Sequence, residues 1–385
     1  MIKVAVVGTN GLAQYIANSI ATQTSHQFII LSRRPSPGLT ARGWQVLQVD
    51  YSNPADLKFK LAGVDTVIST VSGNAQLALI DAAAAAHVRR FVPSEFGGPP
   101  SLRPQNDLLD NGRRAAILRL HQHEPSGMRF TVFTCGVLYE RFAPGGMAAS
   151  QIGLRSNIGQ EGDYLMDFRR RRAQVPYLNS AGQPATICMT SAADVARFVV
   201  AALDLPSWPR EFRLRGERLS VRDVVAIAEE IQGRPFEISG HTRSSLQDAL
   251  TYARAVGDHA RETRVHHLIA TAEGRYDFVN TNLNQLVGVR PESFRDWLKI
   301  VPTKGGKVIS CVLYNMRPVA GWGELPRRSK IGIFMCQLAY EALTKWGCQN
   351  GSPTADRANA DLYLPICITN EALSKIGNWI KARYP

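Results

Sequence analysis

One stretch near the start of the chain, IKVAVVGTNGLAQYIANSI at residues 2–20, constrains the fold most. A run rich in β-branched residues ends at Gly8, a second glycine follows at Gly11, and an apolar pattern with helical spacing continues from there. Five further strand-like runs, QFIILS, WQVLQVD, DTVISTVS, RRFVPSE and RFTVFTCGVLY, alternate with helix-like runs up to residue 139. Such alternation predicts βαβ units, and therefore an α/β fold with a doubly wound parallel sheet of the Rossmann type.

Three regions of the chain differ in pattern. Residues 1–150 carry the alternating runs and are predicted to form a dinucleotide-binding domain. Residues 151–300 are less regular and are predicted to form a separate lobe. Residues 301–385 hold four of the six cysteines and three of the six tryptophans without a βαβ pattern. We interpret them as an extension of uncertain structure, either a gene-end artefact or a third domain. Helix caps are predicted in the second region at Ser191 with Asp194, Ser220 with Asp223, and Gly233.

Composition excludes several classes of protein. The 385 residues are 45% hydrophobic, enough for a sizeable core, and the formal net charge is +13. The positive charge is spread along the chain, with its densest run at Arg169–Arg172, so we expect a solvated helix face or an anion contact there and no nucleic-acid partner. Six cysteines without a CxxC pair predict free thiols and no metal site. Neither a leader nor an apolar run of about 18 residues is evident, which predicts a cytoplasmic protein without a membrane partner.

The first loop has the context of a dinucleotide fingerprint, because it follows a strand and opens a helix. Gly8 allows the sharp turn, Gly11 lets the backbone approach a pyrophosphate, and the helix N-terminus offers free N–H groups to the phosphates. The spacing is G-x-x-G, and Gln14 stands where a third glycine is usual. A plain strand-to-helix turn is the competing interpretation. The predicted cofactor-binding residues of this loop are Gly8, Thr9, Asn10, Gly11, Leu12 and Ala13.

The end of the second strand selects the cofactor. An acidic residue there would accept hydrogen bonds from the ribose hydroxyls of NAD, but this chain has Arg33 and Arg34 instead. Guanidinium groups suit a 2′-phosphate, so NADP is predicted, against two merely solvated arginines. Asp50, after the third strand, is a candidate for the adenine amino group or for capping a turn. The fourth strand ends at three further candidates for cofactor contact, Ser69, Thr70 and Val71.

Several motifs together resemble a known family. VAVVGTNGLAQYIA, GVDTVISTVSG, RRFVPSEFGGPP, GVLYERFAPGG, ICMTSAADVARFVVAALDLP and VVAIAEEIQGRPFE are similar to segments of the fungal NmrA-like, isoflavone-reductase-like proteins, which are atypical short-chain dehydrogenases. PSEFG is the most specific element, and the resemblance covers about residues 1–300. It implies a Rossmann domain, a smaller α/β substrate-binding lobe at 151–300, and NADP(H) as cofactor.

Catalytic residues are harder to assign. The Tyr-x-x-x-Lys signature of short-chain dehydrogenases is absent from the chain. The resemblance places Arg114 where related plant reductases use a lysine; an arginine stays protonated, so it can polarise a carbonyl but cannot act as a general base. Ser94 is a candidate for hydrogen bonding to substrate or ribose, against capping a turn. Tyr139 is a candidate proton donor, against a buried structural tyrosine.

The resemblance and the loop together predict an NADPH-dependent oxidoreductase. Its expected partner is a small, aromatic or polyketide-like carbonyl or enone compound, held in one cleft with the cofactor. The competing hypothesis is an NADP-binding, redox-sensing regulator of the NmrA type without turnover. The absent Tyr-x-x-x-Lys signature and the arginine at position 114 both favour that alternative.

Overall fold

The computed structural model describes residues 1–153 and 156–301, which lie within one compact unit. The predictions for the extension therefore fall almost wholly outside the described residues. The strands are β1 Lys3–Val7, β2 Gln27–Ser32, β3 Val46–Gln48, β4 Thr66–Ser69, β5 Arg90–Val92, β6 Arg129–Phe130, β7 Val132–Thr134, β8 Val137–Leu138, β9 Met166–Asp167, β10 Arg172–Pro176, β11 Thr186–Thr190, β12 Glu211–Arg213, β13 Glu217–Ser220 and β14 Glu237–His241. The α-helices are α1 Gly11–Gln23, α2 Pro37–Thr40, α3 Pro54–Lys60, α4 Asn74–Ala85, α5 Arg113–Gln122, α6 Gly146–Ala149, α7 Ala192–Ala202, α8 Val221–Gln232, α9 Arg243–Ala255, α10 His259–Ala272, α11 Leu283–Leu286 and α12 Phe294–Ile300.

The first six strands form the predicted parallel sheet, in the order β3-β2-β1-β4-β5-β6. Alternate residues of β1 face opposite sides: Val4 and Val6 pack with α1 and α7, whereas Ala5 and Val7 pack with α3, α4 and α5. A strand buried on both faces needs the unbroken apolar run seen in the sequence. The doubly wound Rossmann prediction is therefore confirmed, and the strand order reverses between β1 and β4, where such folds bind ligands.

The predicted sixth strand is one chain segment that contributes a short strand to each of three sheets. β6 pairs with β5, β7 pairs with β12, and β8 pairs with β11. Gly136, between β7 and β8, has φ of +72°, and a Cβ there would collide with the backbone carbonyl of Cys188. The apolar run of this segment reflects burial throughout, while the glycine lets it leave the first sheet.

A second core lies beyond this crossing. Its residues come mainly from β9–β11, α8–α10 and α12, and these elements together with β13 and β14 are called the second lobe. β10 pairs with β14 and β9, and β11 pairs with β13 and β8. These strands are short and belong to small separate sheets, so their sequence shows no long periodic pattern.

The predicted helix caps of this region are confirmed. The hydroxyls of Ser191 and Ser220 accept hydrogen bonds from the backbone N–H groups of Asp194 and Asp223, each at 3.0 Å. Gly233 ends α8 with φ of +64°. Each cap satisfies a donor or acceptor that the helix itself leaves unpaired.

The basic run at residues 169–172 is not the helix face considered above. It lies in a turn and at the start of β10. Three of its members form ion pairs, Arg169 with Glu161, Arg170 with Asp167, and Arg172 with Glu237. Separately, no helix in the described part of the chain is both long and apolar enough to cross a membrane.

Candidate active site

Gly8 makes the turn after β1 that the sequence predicts. Its φ is +113°, a conformation that favours glycine, and its N–H donates to the carbonyl of Leu31 at 2.9 Å. A Cβ at Gly8 would collide with the hydroxyl of Thr70, which itself donates to the carbonyl of Val7 at 2.8 Å. The glycine therefore lets the first loop pack directly against the end of β4.

The rest of the loop is organised by Asn10, which caps α1. Its side-chain oxygen accepts from the N–H of Ala13 at 2.9 Å, and its amide donates to the carbonyl of Thr70 at 3.3 Å. Leu12 and Ala13 are buried beneath the loop. The carbonyl of Thr9 accepts from the side chain of Gln14 at 3.1 Å. These contacts hold the N-terminus of α1 toward the carboxyl edge of the sheet.

Gly11 is covered by the protein's own backbone. Its N–H donates to the carbonyl of Gln151 at 3.0 Å, and a Cβ at Gly11 would collide with the carbonyl oxygen of Ser150. The amide of Gln14 also donates to the side chain of Gln151 at 3.0 Å. The space predicted for a pyrophosphate is thus filled by residues 150–151, and Gln14, in place of the usual third glycine, helps to hold them there.

Arg33 and Arg34 lie at the carboxyl end of β2, and both are exposed. Within the described part of the chain, neither guanidinium forms an ion pair, and both residues form their hydrogen bonds through backbone atoms. Nearby, Asp50 accepts from the N–H and hydroxyl of Ser52 at 2.9 and 2.7 Å. Asp50 therefore caps a turn, and the two arginines are the groups left for an anionic ligand.

The end of β4 meets the first loop and α4. Ser69 is buried, and its hydroxyl donates to the carbonyl of Val71 at 3.1 Å. Gln76 is fully buried: its side-chain oxygen accepts from the N–H of Ser94 at 2.7 Å, but its Nε2 has no hydrogen-bond partner among the described residues. A buried amide donor without an acceptor is costly. At the carboxyl ends of β4 and β5, it is the kind of donor that a bound ligand would satisfy.

The loop after β5, residues 93–98, which we call the PSEFGG loop, is fixed by a buried ion pair. Glu95 is 2% exposed and accepts two hydrogen bonds from Arg103, at 2.9 and 2.6 Å. Arg103 also contacts Asp110 at 3.1 Å, and Asp110 accepts from the N–H of Arg114 at the start of α5. The acid of the family motif therefore positions the segment that leads into α5.

Arg114 lies on the outside of α5. It is exposed, and its guanidinium donates to the carbonyls of Arg103 and Pro104 at 3.3 and 2.9 Å. Its neighbour Arg113 is partly buried, and a Cβ at Gly97 would stand 3.9 Å from the Arg113 Nη1. The arginine that reaches the PSEFGG loop is thus Arg113, one position from the residue that the family spacing indicated.

Tyr139 belongs to the second core. It is fully buried between Phe294 and Trp297, with ring centroids 5.2 and 5.5 Å away, and its hydroxyl donates to the carbonyl of Glu292 at 3.1 Å. Burial raises its pKa far above the usual value. This environment favours the structural interpretation of Tyr139 over the predicted proton donor.

A cluster of polar side chains lies where the second lobe meets the PSEFGG loop. A Cβ at Gly98 would collide with the backbone of Arg275 and lie 3.2 Å from the ring of Tyr276. The hydroxyl of Tyr276 is 2.7 Å from Nδ1 of His267, and their rings stack with centroids 6.2 Å apart. The guanidinium of Arg141 lies 5.4 Å from the centre of the Tyr164 ring. We call Arg113, Arg141, Tyr164, His267 and Tyr276 the cationic cluster.

Burial and the neighbouring positive charges keep His267 neutral. Burial, and then the guanidiniums of Arg141 and Arg113, hold the pKa of His267 well below its ordinary value. Burial raises the pKa of Tyr276, while the same arginines oppose that shift. At neutral pH the pair is therefore an uncharged imidazole beside a protonated phenol, in a positive field.

Sequence reasoning missed this cluster because its members are far apart in the chain. Arg141 follows β8, His267 lies on α10, and Tyr276 lies in the loop after α10. No spacing rule connects them. The one available signal was the pair of glycines that ends PSEFGG, since glycine in a loop at a strand's carboxyl end marks a close approach of another segment.

Other candidates for chemistry are structural. Cys135 is fully buried, and burial raises the pKa of its thiol to about 12, so it is not a reactive thiolate. Cys188 is also buried, with its sulfur 3.1 Å from the carbonyl of Phe278. Among the described residues, no group of three or more His, Cys, Asp or Glu side chains could hold a metal ion.

Known proteins resemble this chain in both sequence and fold. A family model described as NAD(P)H-binding matches residues 8–145. Oxidoreductase BOA1 of Botryotinia fuckeliana is 29% identical over 284 residues, covering 67% of this chain and 87% of the relative. The bifunctional pinoresinol-lariciresinol reductase of Linum usitatissimum is 32% identical over 139 residues, or 31% of this chain and 43% of that protein.

Solved structures support the fold. The NADPH-dependent quinone oxidoreductase QOR2 of Escherichia coli, in complex with NADPH, has a TM-score of 0.58 at 18% identity, covering 77% of this chain and 98% of that one. The structures of pinoresinol-lariciresinol and phenylcoumaran benzylic ether reductases give 0.60 at 18% identity, covering 78% and 98%. With the glycine loop, the strand order and the matched domain, these likenesses agree with the resemblance that the motifs indicated. The chain is therefore an NAD(P)H-binding Rossmann protein that is similar to the NmrA-like, isoflavone-reductase-like oxidoreductases.

Proposed function

We propose that the protein is an NADPH-dependent reductase of a small, aromatic or polyketide-like carbonyl or enone compound. The observation that carries the proposal is the pair of exposed arginines at the end of β2, Arg33 and Arg34, which have no ion-pair partner in the described part of the chain. They stand where dinucleotide folds recognise the ribose, and no acidic residue accompanies them in the LSRRPS segment. A 2′-phosphate is the group that would pair with them.

The residues present fit a dinucleotide at both ends of its expected path. The arginines would hold the 2′-phosphate, and the N-terminus of α1 would face the pyrophosphate. The unpaired Nε2 of Gln76 would donate a hydrogen bond to the part of the cofactor that lies beside Ser94. When bound, NADPH would supply a hydride. In this scheme residues 1–150 hold the cofactor and residues 151–300 contribute most of the substrate site.

One local change is required for this binding mode. The carbonyl of Gln151 accepts from the N–H of Gly11, so residues 150–151 must withdraw before phosphate oxygens can reach that donor. Two hydrogen bonds join residues 150–151 to α1, this backbone bond and the side-chain bond between Gln14 and Gln151, while the neighbouring Ile152 is anchored in the core. Each such bond contributes about 1 kcal/mol net, which the charged contacts of the cofactor would exceed.

The residue best placed to assist reduction is Tyr276. When the hydrogen of the neutral His267 is on Nδ1, the imidazole donates to the phenol oxygen 2.7 Å away. The phenol proton is then free for a substrate oxygen that gains negative charge, and the field of Arg113 and Arg141 stabilises that charge. The tyrosine would regain its proton from water.

The experiment that tests the proposal measures NADPH consumption with a panel of enones, quinones and aromatic ketones. We expect turnover of at least one class with NADPH and much slower turnover with NADH. Consumption of neither cofactor, with tight binding of NADP⁺, would contradict the enzymatic proposal.

The second candidate is an NADP-binding, redox-sensing regulator. The observation that favours it is the close contact of the backbone of residues 150–151 with Gly11. Cofactor binding would displace this segment, and a partner protein could recognise the displaced form. The outward position of Arg114 also favours it, since the family's catalytic position then contributes nothing to the cleft. Tight NADP⁺ binding without turnover distinguishes this candidate from the reductase.

A further inference from the structure

We infer that Arg113 and Arg141 bind an anionic group of the substrate, a carboxylate or a phenolate, beside the PSEFGG loop. The inference rests on the proposed function, because it places the substrate in the cleft next to the proposed cofactor path. It narrows the substrate from any small aromatic carbonyl compound to an acidic one. The residues that carry it are the two arginines and the His267–Tyr276 pair.

Both arginines lack a carboxylate partner in the described part of the chain. Arg141 donates to the carbonyl of Ile158 at 3.3 Å and lies over the ring of Tyr164, but forms no ion pair. Arg113 is partly buried near Gly97 and has no ion pair either. Two positive charges, both partly shielded from bulk water, therefore have no carboxylate partner among the described residues.

The carboxylates of the surrounding elements already have partners. Asp163 pairs with Arg264 at 3.3 Å, and Asp107 pairs with Arg275 at 2.9 Å. Glu140, on the segment that carries Arg141, accepts from the N–H of Ala192 at 2.9 and 3.1 Å. None of these three forms an ion pair with Arg113 or Arg141, and Asp163 acts on Arg141 only at longer range, where it opposes the lowering of the pKa by burial.

A second charged region of the lobe shows what a balanced arrangement looks like. A cavity of about 340 Å³ is lined by Gly145, Gln160, Glu161, Asp167, Arg169 and Arg170. There, Arg169 lies 2.5 Å from Glu161, and Arg170 lies 3.5 Å from Asp167. Its positive and negative side chains match one to one, so it has no electrostatic need for a ligand. The cationic cluster lacks that match.

A bound anion would neutralise the excess positive charge of the cationic cluster. Removing a cation from water without a partner is costly, and the cost is offset when an opposite charge binds with good geometry. A guanidinium presents parallel N–H donors that fit a planar carboxylate, and the rings of Tyr164 and His267 nearby suit an aromatic ligand. Burial, and after it the guanidiniums of Arg141 and Arg113, lower the pKa of His267, so the histidine lies in the same positive field.

A phosphate of the cofactor is the competing source of negative charge, and the experiment must separate the two. We therefore propose isothermal titration of the full-length protein with salicylate, and with methyl salicylate as its uncharged counterpart. Each titration is performed without cofactor and again with saturating NADP⁺. We expect salicylate to bind at least about tenfold more tightly than the ester in both conditions.

Variants assign the binding to the cluster. Arg141→Gln and Arg113→Gln should each weaken salicylate binding by about tenfold or more, whereas Arg141→Lys should retain most of it. Arg261→Gln is the matched control, since Arg261 lies 4.9 Å from the centre of the Tyr252 ring on the exposed surface. It removes the same charge from a similar arginine–tyrosine contact and should leave binding unchanged. Thermal melts of every variant identify any that fail to fold, and two independent arginines keep the test decisive.

Three results would overturn the inference: equal binding of salicylate and its ester, no salicylate binding at millimolar concentration, or loss of salicylate binding when NADP⁺ saturates the protein. The last result would assign the arginines to the cofactor. Failure of the proposed function is read separately, as an absence of NADP⁺ binding or of NADPH consumption, and it leaves the cofactor-free salicylate titration as an independent result.

Discussion

Two pairs of arginines in this protein differ in what their surroundings require. Arg33 and Arg34 are exposed at the edge of the parallel sheet, and water solvates them when no ligand is present. Arg113 and Arg141 are partly buried where the second lobe meets the PSEFGG loop, and burial lowers the pKa of Arg141. The exposed pair costs little when empty, whereas the partly buried pair carries a desolvation cost, which the lowered pKa of Arg141 reflects.

A ligand for each pair must therefore be argued from a different kind of evidence. For the exposed pair, position in a known fold carries the argument, because solvated arginines are common on any surface. For the partly buried pair, the argument rests on the lack of a carboxylate partner within the described residues, and the fold provides no further support. Experiments on the two pairs should therefore give different signatures, and the predictions below are ordered from the largest expected effect to the smallest.

The largest effect is expected at the exposed pair. Changing both Arg33 and Arg34 to alanine should weaken NADPH binding by about 1.5–3 kcal/mol for each charged hydrogen bond that the substitution removes, and should affect NADH little. Titration of both cofactors, followed by fluorescence, provides the measurement. The matched control is Arg234→Ala with Arg243→Ala, two exposed arginines of the second lobe. Equal losses for NADPH and NADH would remove the basis of the NADP assignment.

Two tyrosines provide the next test, because one belongs to the cationic cluster and the other to the second core. Tyr276→Phe should lower kcat by about 10²-fold or more with little change in NADPH affinity, since it removes the proposed proton donor. Tyr139→Phe should instead lower the free energy of unfolding by about 1 kcal/mol, through loss of its bond to Glu292, and should leave kcat near that of the parent. The reverse pattern would restore Tyr139 as the proton donor.

A pH effect is expected from Glu140, which is 3% exposed and whose pKa burial raises to about 7 from an ordinary 4.5. Between these values the folded protein holds this proton and the unfolded chain does not, so stability contributed by Glu140 falls as pH rises through that window. The total change is about 3 kcal/mol. Urea unfolding across this range should show the decline.

The variant Glu140→Gln checks the source of that decline. It cannot ionise, so its stability relative to the parent should improve steadily as pH rises from about 4.5 to about 7. A constant difference between variant and parent would show that another group titrates in this window.

The smallest effect concerns the segment that covers Gly11. Gln151→Ala removes the side-chain bond to Gln14 and should tighten NADPH binding by about two- to threefold, because less must be broken when the segment withdraws. The control is Gln23→Ala, which changes an exposed glutamine at the end of α1, the helix that carries Gln14. Weaker binding in Gln151→Ala would mean that the segment supports the cofactor instead of competing with it.

Much of the fold could be predicted from the sequence, for a physical reason. The strands of a parallel sheet are buried on both faces, so QFIILS and KVAVV appear as unbroken apolar runs between amphipathic helices. Ser191, Ser220 and Gly233 were readable because caps depend on local backbone needs. The split of the sixth predicted strand was not readable, because all three of its parts are buried and differ only in their partners.

The candidate site divides in the same way. Local sequence determined the glycine turn at Gly8 and the arginines after β2, because each depends on residues adjacent in the chain. Local sequence could not show that residues 150–151 fill the space beside Gly11, since that contact joins segments about 140 positions apart.

By itself, then, the sequence determined the sheet, its helices, the family resemblance and the class of cofactor. Tertiary structure decided which of two adjacent arginines on α5 faces the PSEFGG loop, since a helix directs successive side chains about 100° apart. It also brought Arg141, His267 and Tyr276 together, from a strand end, a helix and a loop. Charge and burial act through space, so a site formed by distant segments becomes visible only when the chain has folded.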